Sequence, residues 1–237
     1  MTLTAILDIR TPPSVEQALI ERGYVTLKLP PHPDLPAPVA SHPDMLVFFA
    51  HDMIHCGKAY MEIARLPLIL TSARARHSLR FVPDPASDYP NDVTFNIARV
   101  GSFLFGHASG ACERLRNHPD YRFIPVKQGY AKCSTIPVGD HALITEDPSI
   151  AAAANAVGIE VLQVAQNAVE LPGYNTGFLG GAASYAPYGK CKEILFSGNL
   201  SLHPNGKEII QFCNQHGMEA VSLTEDPLLD LGTIFLI

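Results

Sequence analysis

No two cysteines in this sequence stand in a CxxC pair, no stretch gathers lysine and arginine into a basic run, and no apolar segment approaches the length of a membrane span. Each absence removes a class of function. Without paired thiols at metal or redox spacing there is no zinc ribbon and no thioredoxin-type dithiol. The five cysteines, at 56, 112, 133, 191 and 213, are odd in number and irregularly spaced. They read as free thiols in a reducing compartment, hence a cytoplasmic protein. Phosphate backbones are bound by clustered cations, so a net charge of −6 with no basic cluster argues against a nucleic-acid partner. A spanning helix needs about 20 consecutive apolar residues, so no membrane partner is expected. The opening segment, MTLTAILDIRTPPS, has no basic stretch ahead of a long apolar one and does not read as a signal peptide. The paired glycines at 180 and 181 sit in neither a GxGxxG nor a GK[ST] context, and no cofactor is expected.

What is present is apolar material and punctuation. Hydrophobic residues make up 47% of the 237 and charged residues 17%, enough to bury a substantial core in a single domain over residues 1–237. Twenty prolines and seventeen glycines call for many turns between short elements. Three segments share one grammar of helix, glycine, then strand. In SVEQALIERGYVTLKLP (14–30), Ser14 and Gln17 form a capping box, Gly23 stops the helix, and Val25, Leu27 and Leu29 alternate along a strand. In DPSIAAAANAVGIEVLQV (147–164), Asp147 caps, Pro148 takes the first helical position and Gly158 stops. NGKEIIQFCNQHGMEAVSLT (205–224) repeats it with Gly217 as the stop. Weaker copies end in YRFIPV (121–126) and LRFVPDP (79–85). Strand pairs are expected between them: 45–50 with 66–71, 93–99 with 101–105, 133–138 with 141–145, and 177–183 with 193–200. The fifth joins GTIFLI at the C-terminus to TAILDI at the N-terminus. The chain parses as five ββαβ units, one split between its ends, and repeats of about 40 residues point to a ring or a solenoid. Pairing the last strand beside the first removes a free edge and favours the ring.

This pattern resembles the pentein superfamily, the ββαβ propellers of guanidine-modifying enzymes. The segments HPDMLVF (42–48), YPNDVTFN (89–96), VKQGYAKCS (126–134), DHALITEDPSIA (140–151), LPGYNTGFLGGAAS (171–184) and DLGTIFLI (230–237) resemble an uncharacterised bacterial branch of it. The resemblance implies an α/β fold, a five-unit ββαβ pentein-type propeller of pseudo-five-fold form. The first strand of each unit would line a central cavity. It also implies a cysteine-dependent hydrolase or transferase acting on a cationic guanidino or amidine small molecule.

Candidate residues follow from that cavity. A polar side chain on an otherwise apolar inner strand is costly unless it is paired or used. Gly129, Lys132, Cys133 and Thr135 approximate the Gly-x-x-(His or Arg)-Cys-x-(Ser/Thr) setting of pentein nucleophiles, and Lys132 is a cation that could lower the thiol pKa. The ordinary alternative for Cys133 is a packed core thiol. The histidine that the resemblance implies is missing from DVTFNIARV. His42 is the best substitute as base, His141 stands at a hairpin tip, and His203 lies in a loop. Asp44, Asp92 and Asp230, each near the start of an inner strand, could cradle a planar guanidinium; their ordinary role is to cap strand-entry turns. Asn96 shares a segment with Asp92, and its face depends on register. Leu179 and Ala182 flank the GG pair where pentein enzymes carry an acid, and the last unit has no cysteine. The missing acid and the missing inner-strand histidine favour the alternative of a non-catalytic binding protein on the same ring. His51, His55 and Cys56 would need helical spacing and a further ligand to hold zinc, so no metal is assigned.

Overall fold

The computed structural model describes residues 3–50, 53–65, 78–186 and 192–237. Strand β1 (Leu3–Asp8) is followed by helix α1 (Pro13–Glu21) and by β2 (Tyr24–Leu29), which lies parallel to β1. A short α2 (Pro43–Leu46) enters the antiparallel pair β3 (Val47–Ala50) and β4 (Met53–Gly57); α3 (Lys58–Ala64) precedes β5 (Ser78–Val82), parallel to β4. The same order recurs in β6 (Ala98–Val100), β7 (Phe103–His107), α4 (Glu113–Arg116) and β8 (Arg122–Val126). It recurs again in β9 (Thr135–Val138), β10 (Ala142–Thr145), α5 (Pro148–Ala156) and β11 (Glu160–Gln163). After β12 (Ser184–Tyr185), β13 (Glu193–Phe196) pairs in parallel with β14 (Glu219–Ser222) across α6 (Gly206–Gln215), and β15 (Ile234–Leu236) ends the chain. Among the described residues these strands form five small sheets of mixed pairing, none closed into a barrel.

The two chain ends lie side by side. Ala5 faces Leu236 and Ile6 faces Phe235 in an antiparallel ladder, and Thr4 and Ile237 exchange backbone hydrogen bonds of 2.8 and 2.9 Å. The expected pairing of GTIFLI with TAILDI is therefore present. Strand β15 is also flanked by β12 in parallel, so the segment after the GG pair packs beside the C-terminus.

Local chemistry explains most of the repeat. The Asp147 carboxylate accepts from the Ser149 and Ile150 backbone N–H groups, and Pro148 occupies the first turn, where its missing N–H costs nothing. Gly23, Gly158 and Gly217 hold φ of +87°, +81° and +70°, so each stop is a left-handed C-cap that a β-carbon would strain. The capping box expected at Ser14 does not form. The helix begins two residues earlier, at Pro13, with Pro12 as an N-cap that offers no side-chain acceptor, because proline's fixed φ already suits the first turn. Val25 is exposed while Tyr24 and Leu29 are buried, so the expected alternation along β2 holds only at Leu29.

Two strand assignments are corrected. The partner of residues 47–50 is 53–57, a tight antiparallel return; the expected partner, 66–71, lies outside the described residues. Residues 177–183 are turns, joined to β13 only by an isolated bridge from Ala183 to Phe196. Glycine explains this. A β-carbon on Gly180 would collide with the carbonyl oxygens of Lys132, Cys133 and Thr135, so the GG pair exists to let two backbones touch.

The core is divided among the sheets. Leu143 and Ile150, both fully buried, join Ala98, Phe105 and Ala154 between neighbouring repeats; Ile194, Phe196 and Ile209 do the same one repeat later. Each such side chain stabilises the fold by about 2 kcal/mol of burial. What this apolar frame leaves free are the approaches to the first strand of each repeat, and the polar residues gather there.

Candidate functional site

Five strand-entry segments meet in one buried place. His42 and Asp44 stand at the start of α2, just ahead of β3. Asn96 comes two residues before β6, Lys132 and Cys133 lie in the turn before β9, and the GG turn precedes β12. Asp230 and Thr233 lead into β15. Cys133 is therefore in a turn at the mouth of a strand, not inside one.

The contacts are dense. The Cys133 thiol donates to Asp44 Oδ2 at 3.1 Å and receives a hydrogen bond from Asn96 Nδ2 at 3.0 Å. Asn96 Oδ1 accepts from the backbone N–H of both Lys132 (2.7 Å) and Cys133 (3.1 Å), fixing the turn that presents the sulfur. Its other close neighbour is Met45 Sδ at 3.3 Å. Thr233 Oγ1 donates to Asp44 Oδ2 at 2.8 Å and accepts from Lys132 Nζ at 3.0 Å. Lys132 Nζ also reaches the carbonyls of Thr135 and Gly180. His42 lies between two carboxylates, with Nε2 3.8 Å from Asp8 Oδ2 and Nδ1 3.8 Å from Asp230 Oδ1. One ligand atom each from His42, Asp44 and Cys133 fall within 4.8 Å of one another.

Three features hold this cluster in place. Thr233 is fully buried at φ +71°, a left-handed conformation that a β-branched residue adopts only when its surroundings impose it. Gly232, at φ +65°, leaves room for His42, whose side chain a β-carbon there would overlap. Asp230 is wired to the GG turn: it accepts from Phe178 N and Gly232 N, both at 2.9 Å, and would collide with a side chain at Gly181. No acid flanks the GG pair in sequence, and the carboxylate that lies against it in space is Asp230.

Electrostatics set protonation. Burial, then the nearby Asp44 and Asp230 charges, push the Cys133 thiol well above its ordinary range; the Asn96 hydrogen bond opposes them weakly. Burial pulls Lys132 down, against Asp44, so it does not act on the thiol as a free cation would. Burial raises Asp230, while His42 and two backbone N–H groups favour its charged form. Asp8 is penalised by burial, yet the hydrogen bonds from Arg10 win and hold it low.

Of the residues expected from sequence, Cys133, His42, Asp44, Asn96, Lys132 and Asp230 are brought together, all buried. Asp92 joins at one remove: it sits on a single 3-10 turn, is raised by burial, and accepts from Tyr130 OH at 2.7 Å. Tyr130 in turn stacks on Phe178, with ring centroids 6.0 Å apart, and neighbours the exposed Tyr89. His141 is exposed at its hairpin tip. His203 is buried, its Nδ1 taken by Asn205 N at 3.0 Å. His55 lies on strand β4, so the helical His51–His55 pairing does not exist; His51 lies outside the described residues. Burial pushes His55 down to about 4.

Sequence reasoning missed Asp8, Thr233, Tyr130 and Glu146. Asp8 carried a signal, a carboxylate ending the apolar run TAILD, where polarity needs a partner. It accepts from Ser41 Oγ at 2.9 Å as well as from Arg10. Glu146 follows β10 and accepts from Leu179 N at 3.0 Å; burial raises it to about 7.

The mixed α/β fold of several small sheets is shared with solved structures of guanidine-modifying enzymes. The chain is similar to an amidinotransferase of the saxitoxin pathway from Microseira wollei, with 11% identity, TM-score 0.52, 92% of this chain and 87% of that one covered. It is also similar to the inosamine-phosphate amidinotransferase of Streptomyces griseus, with 12% identity, TM-score 0.53 and coverage of 91% and 76%. A dimethylarginine dimethylaminohydrolase matches at 10% identity and TM-score 0.52, over 94% and 92% of the two chains. At such identities the likeness fixes the fold alone. Within that fold the chain belongs to the family of unknown function DUF6873, whose profile matches residues 6–235. No curated protein matches the sequence.

Proposed function

We propose that this protein is a cysteine-dependent enzyme acting on a cationic guanidino or amidine small molecule. The observation that carries the proposal is the approach of Cys133, His42 and Asp44 within 4.8 Å, from two segments about ninety residues apart. Cys133 is the nucleophile, His42 the proton carrier, and Asp44 with Asp230 the cradle for the cation; Asn96 and Lys132 shape the turn. The five strand entries support a single domain over residues 1–237 arranged as five ββαβ units about one axis.

The resting thiol is neutral, and the substrate supplies the remedy. A guanidinium against Asp44 neutralises the charge that opposes ionisation and adds a positive one. At an effective dielectric of 20, a cation about 4 Å from the sulfur contributes about 4 kcal/mol toward thiolate. The thiol gives its proton to His42, its sulfur bonds to the central carbon, and His42 returns the proton to the departing amine as the C–N bond breaks. Water then adds to the S-linked carbon, releasing a ureido product and the thiol; an acceptor amine in place of water gives amidino transfer. Cys133 is only 2% exposed, so substrate enters past the Tyr130–Phe178 stack.

Burial also favours a second reading, a pentein that binds without turnover. One experiment separates them. Chloroacetamidine and chloroacetamide are alkylators of nearly equal shape, one cationic and one neutral. Faster labelling of Cys133 by the cation, with ureido product formed from a guanidine panel and lost in Cys133→Ser, supports the enzyme. Equal labelling without turnover rejects it.

A further inference from the structure

The same three side chains have a composition that guanidine chemistry does not require. A thiol, an imidazole and a carboxylate within 4.8 Å form an S/N/O donor set of the kind that holds zinc. In a tetrahedral zinc site with bonds of about 2.0–2.3 Å, neighbouring ligand atoms stand about 3.3–3.8 Å apart. Cys133 Sγ and Asp44 Oδ2 stand at 3.1 Å, and the imidazole nitrogen, within 4.8 Å of both, has to close by about 1–1.5 Å at most.

Two features point to a ligand here. His42 Nδ1 and Asp44 Oδ1 are buried without a hydrogen-bond partner, while His42 and Asp44 are each only 1% exposed. Buried polar atoms are normally paired, and two orphans in one cluster call for an occupant. The outer groups are also those a metal site uses. With Nδ1 on the metal, the remaining ring nitrogen, Nε2, faces Asp8 Oδ2 at 3.8 Å, and Asn96 points an N–H at the sulfur, where it would steady a thiolate.

We propose that His42, Asp44 and Cys133 bind a zinc ion, with a fourth position left to water or an exogenous ligand. One S–H bond breaks, one metal–sulfur bond forms, and one proton leaves to solvent. Ion and guanidinium cannot occupy Cys133 together, so the metal closes the nucleophile. The site stands on its donor set and does not depend on the enzymatic reading.

Cobalt(II) tests it on the full chain, added alone under anaerobic conditions. Expected is a thiolate-to-cobalt charge-transfer band with the visible bands of a four-coordinate ion, abolished by excess zinc and absent in Cys133→Ser. His42→Gln loses more affinity than the roughly 10–100-fold that an outer-shell partner is worth. Should a variant not fold, the wild type answers by itself: zinc slows chloroacetamide labelling of Cys133 and leaves Cys112 unchanged. No charge-transfer band, a band that survives in Cys133→Ser, or labelling of Cys133 indifferent to zinc overturns the site. Absence of the band in a protein that turns over a guanidine removes the metal alone. A band in a protein inert to every guanidine keeps the metal and removes the enzyme.

Discussion

Replacing Asp44 by asparagine isolates the charge that keeps Cys133 protonated. The carboxylate oxygen is 3.1 Å from the sulfur, and both side chains are buried. At an effective dielectric of 20, a unit charge at that distance opposes thiolate formation by about 5 kcal/mol. This is an upper bound, because Thr233 donates to the same carboxylate and Lys132, held on Thr233, acts on it through its charge. Asparagine keeps an oxygen that can accept from the thiol and Thr233, so the change is mainly one of charge. The assay is iodoacetamide labelling of the Cys133 peptide across pH, read by mass spectrometry. The midpoint is the diagnostic quantity and the rate is not, because restricted access slows labelling by the same factor at every pH. In Asp44→Asn the midpoint should fall by more than about one pH unit. Turnover of a cationic substrate should disappear, because the same carboxylate holds the cation. A midpoint that stays put or rises would refute the assignment of Asp44 as the charge suppressing the thiolate.

Other perturbations have equally definite signs. Glu146, raised to about 7 by burial with Asp230 and Asp147 nearby, binds its proton more tightly in the folded state, so it lowers stability as pH rises from about 4.5 to 7. Glu146→Gln keeps the acceptor for Leu179 N and should gain of order 3 kcal/mol at pH 8, measured by urea unfolding. His55, pushed down to about 4, acts oppositely: its contribution is present above about 6.5 and lost as pH falls toward 4. The two slopes oppose each other in the wild type, so Glu146→Gln should uncover a stability that climbs with pH between 4 and 6.5; a flat profile would count against the His55 shift, and no gain at pH 8 against that of Glu146. Gly232→Ala combines a left-handed φ with overlap on His42 and should cost more than about 2 kcal/mol in the same assay. Tyr130→Phe removes the donor to Asp92 and should cost about 2 kcal/mol while speeding the labelling of Cys133; unchanged labelling would place the entrance elsewhere.

The sequence was most legible where the determinants are local. Asp147, Pro148 and Gly158 each act within one turn of helix, and each behaves as its chemistry requires. The pairing of the two ends was legible from the repeat, since a unit missing its first strand at one terminus has to find it at the other. Ser14 failed as a cap because Pro13 already satisfied the helix start, a competition between two good local signals. The strand expected over 177–183 failed for a different reason. Paired glycines read equally as a bulge or as a close approach, and only the fold shows that the approaching group is the protein's own 132–135 backbone.

The site shows the same division between local and distant causes. The strand-entry positions of Asp44 and Asp230 were visible, while Cys133 was read into the strand that it only precedes; the protonation of all three was not legible, because it comes from neighbours far away in sequence. Lys132 makes the point. Beside a cysteine it reads as a cation that activates the thiol, yet the fold turns it toward Thr233 and two carbonyls and gives the sulfur Asp44 instead. A thiol so placed is inert until something positive displaces the effect of that carboxylate. Guanidinium and zinc both meet the requirement, and they make opposite demands on the same proton: the first needs it kept on His42 for the leaving amine, the second expels it to solvent. Proton release on ligand addition, followed in weakly buffered solution, therefore distinguishes the two proposals.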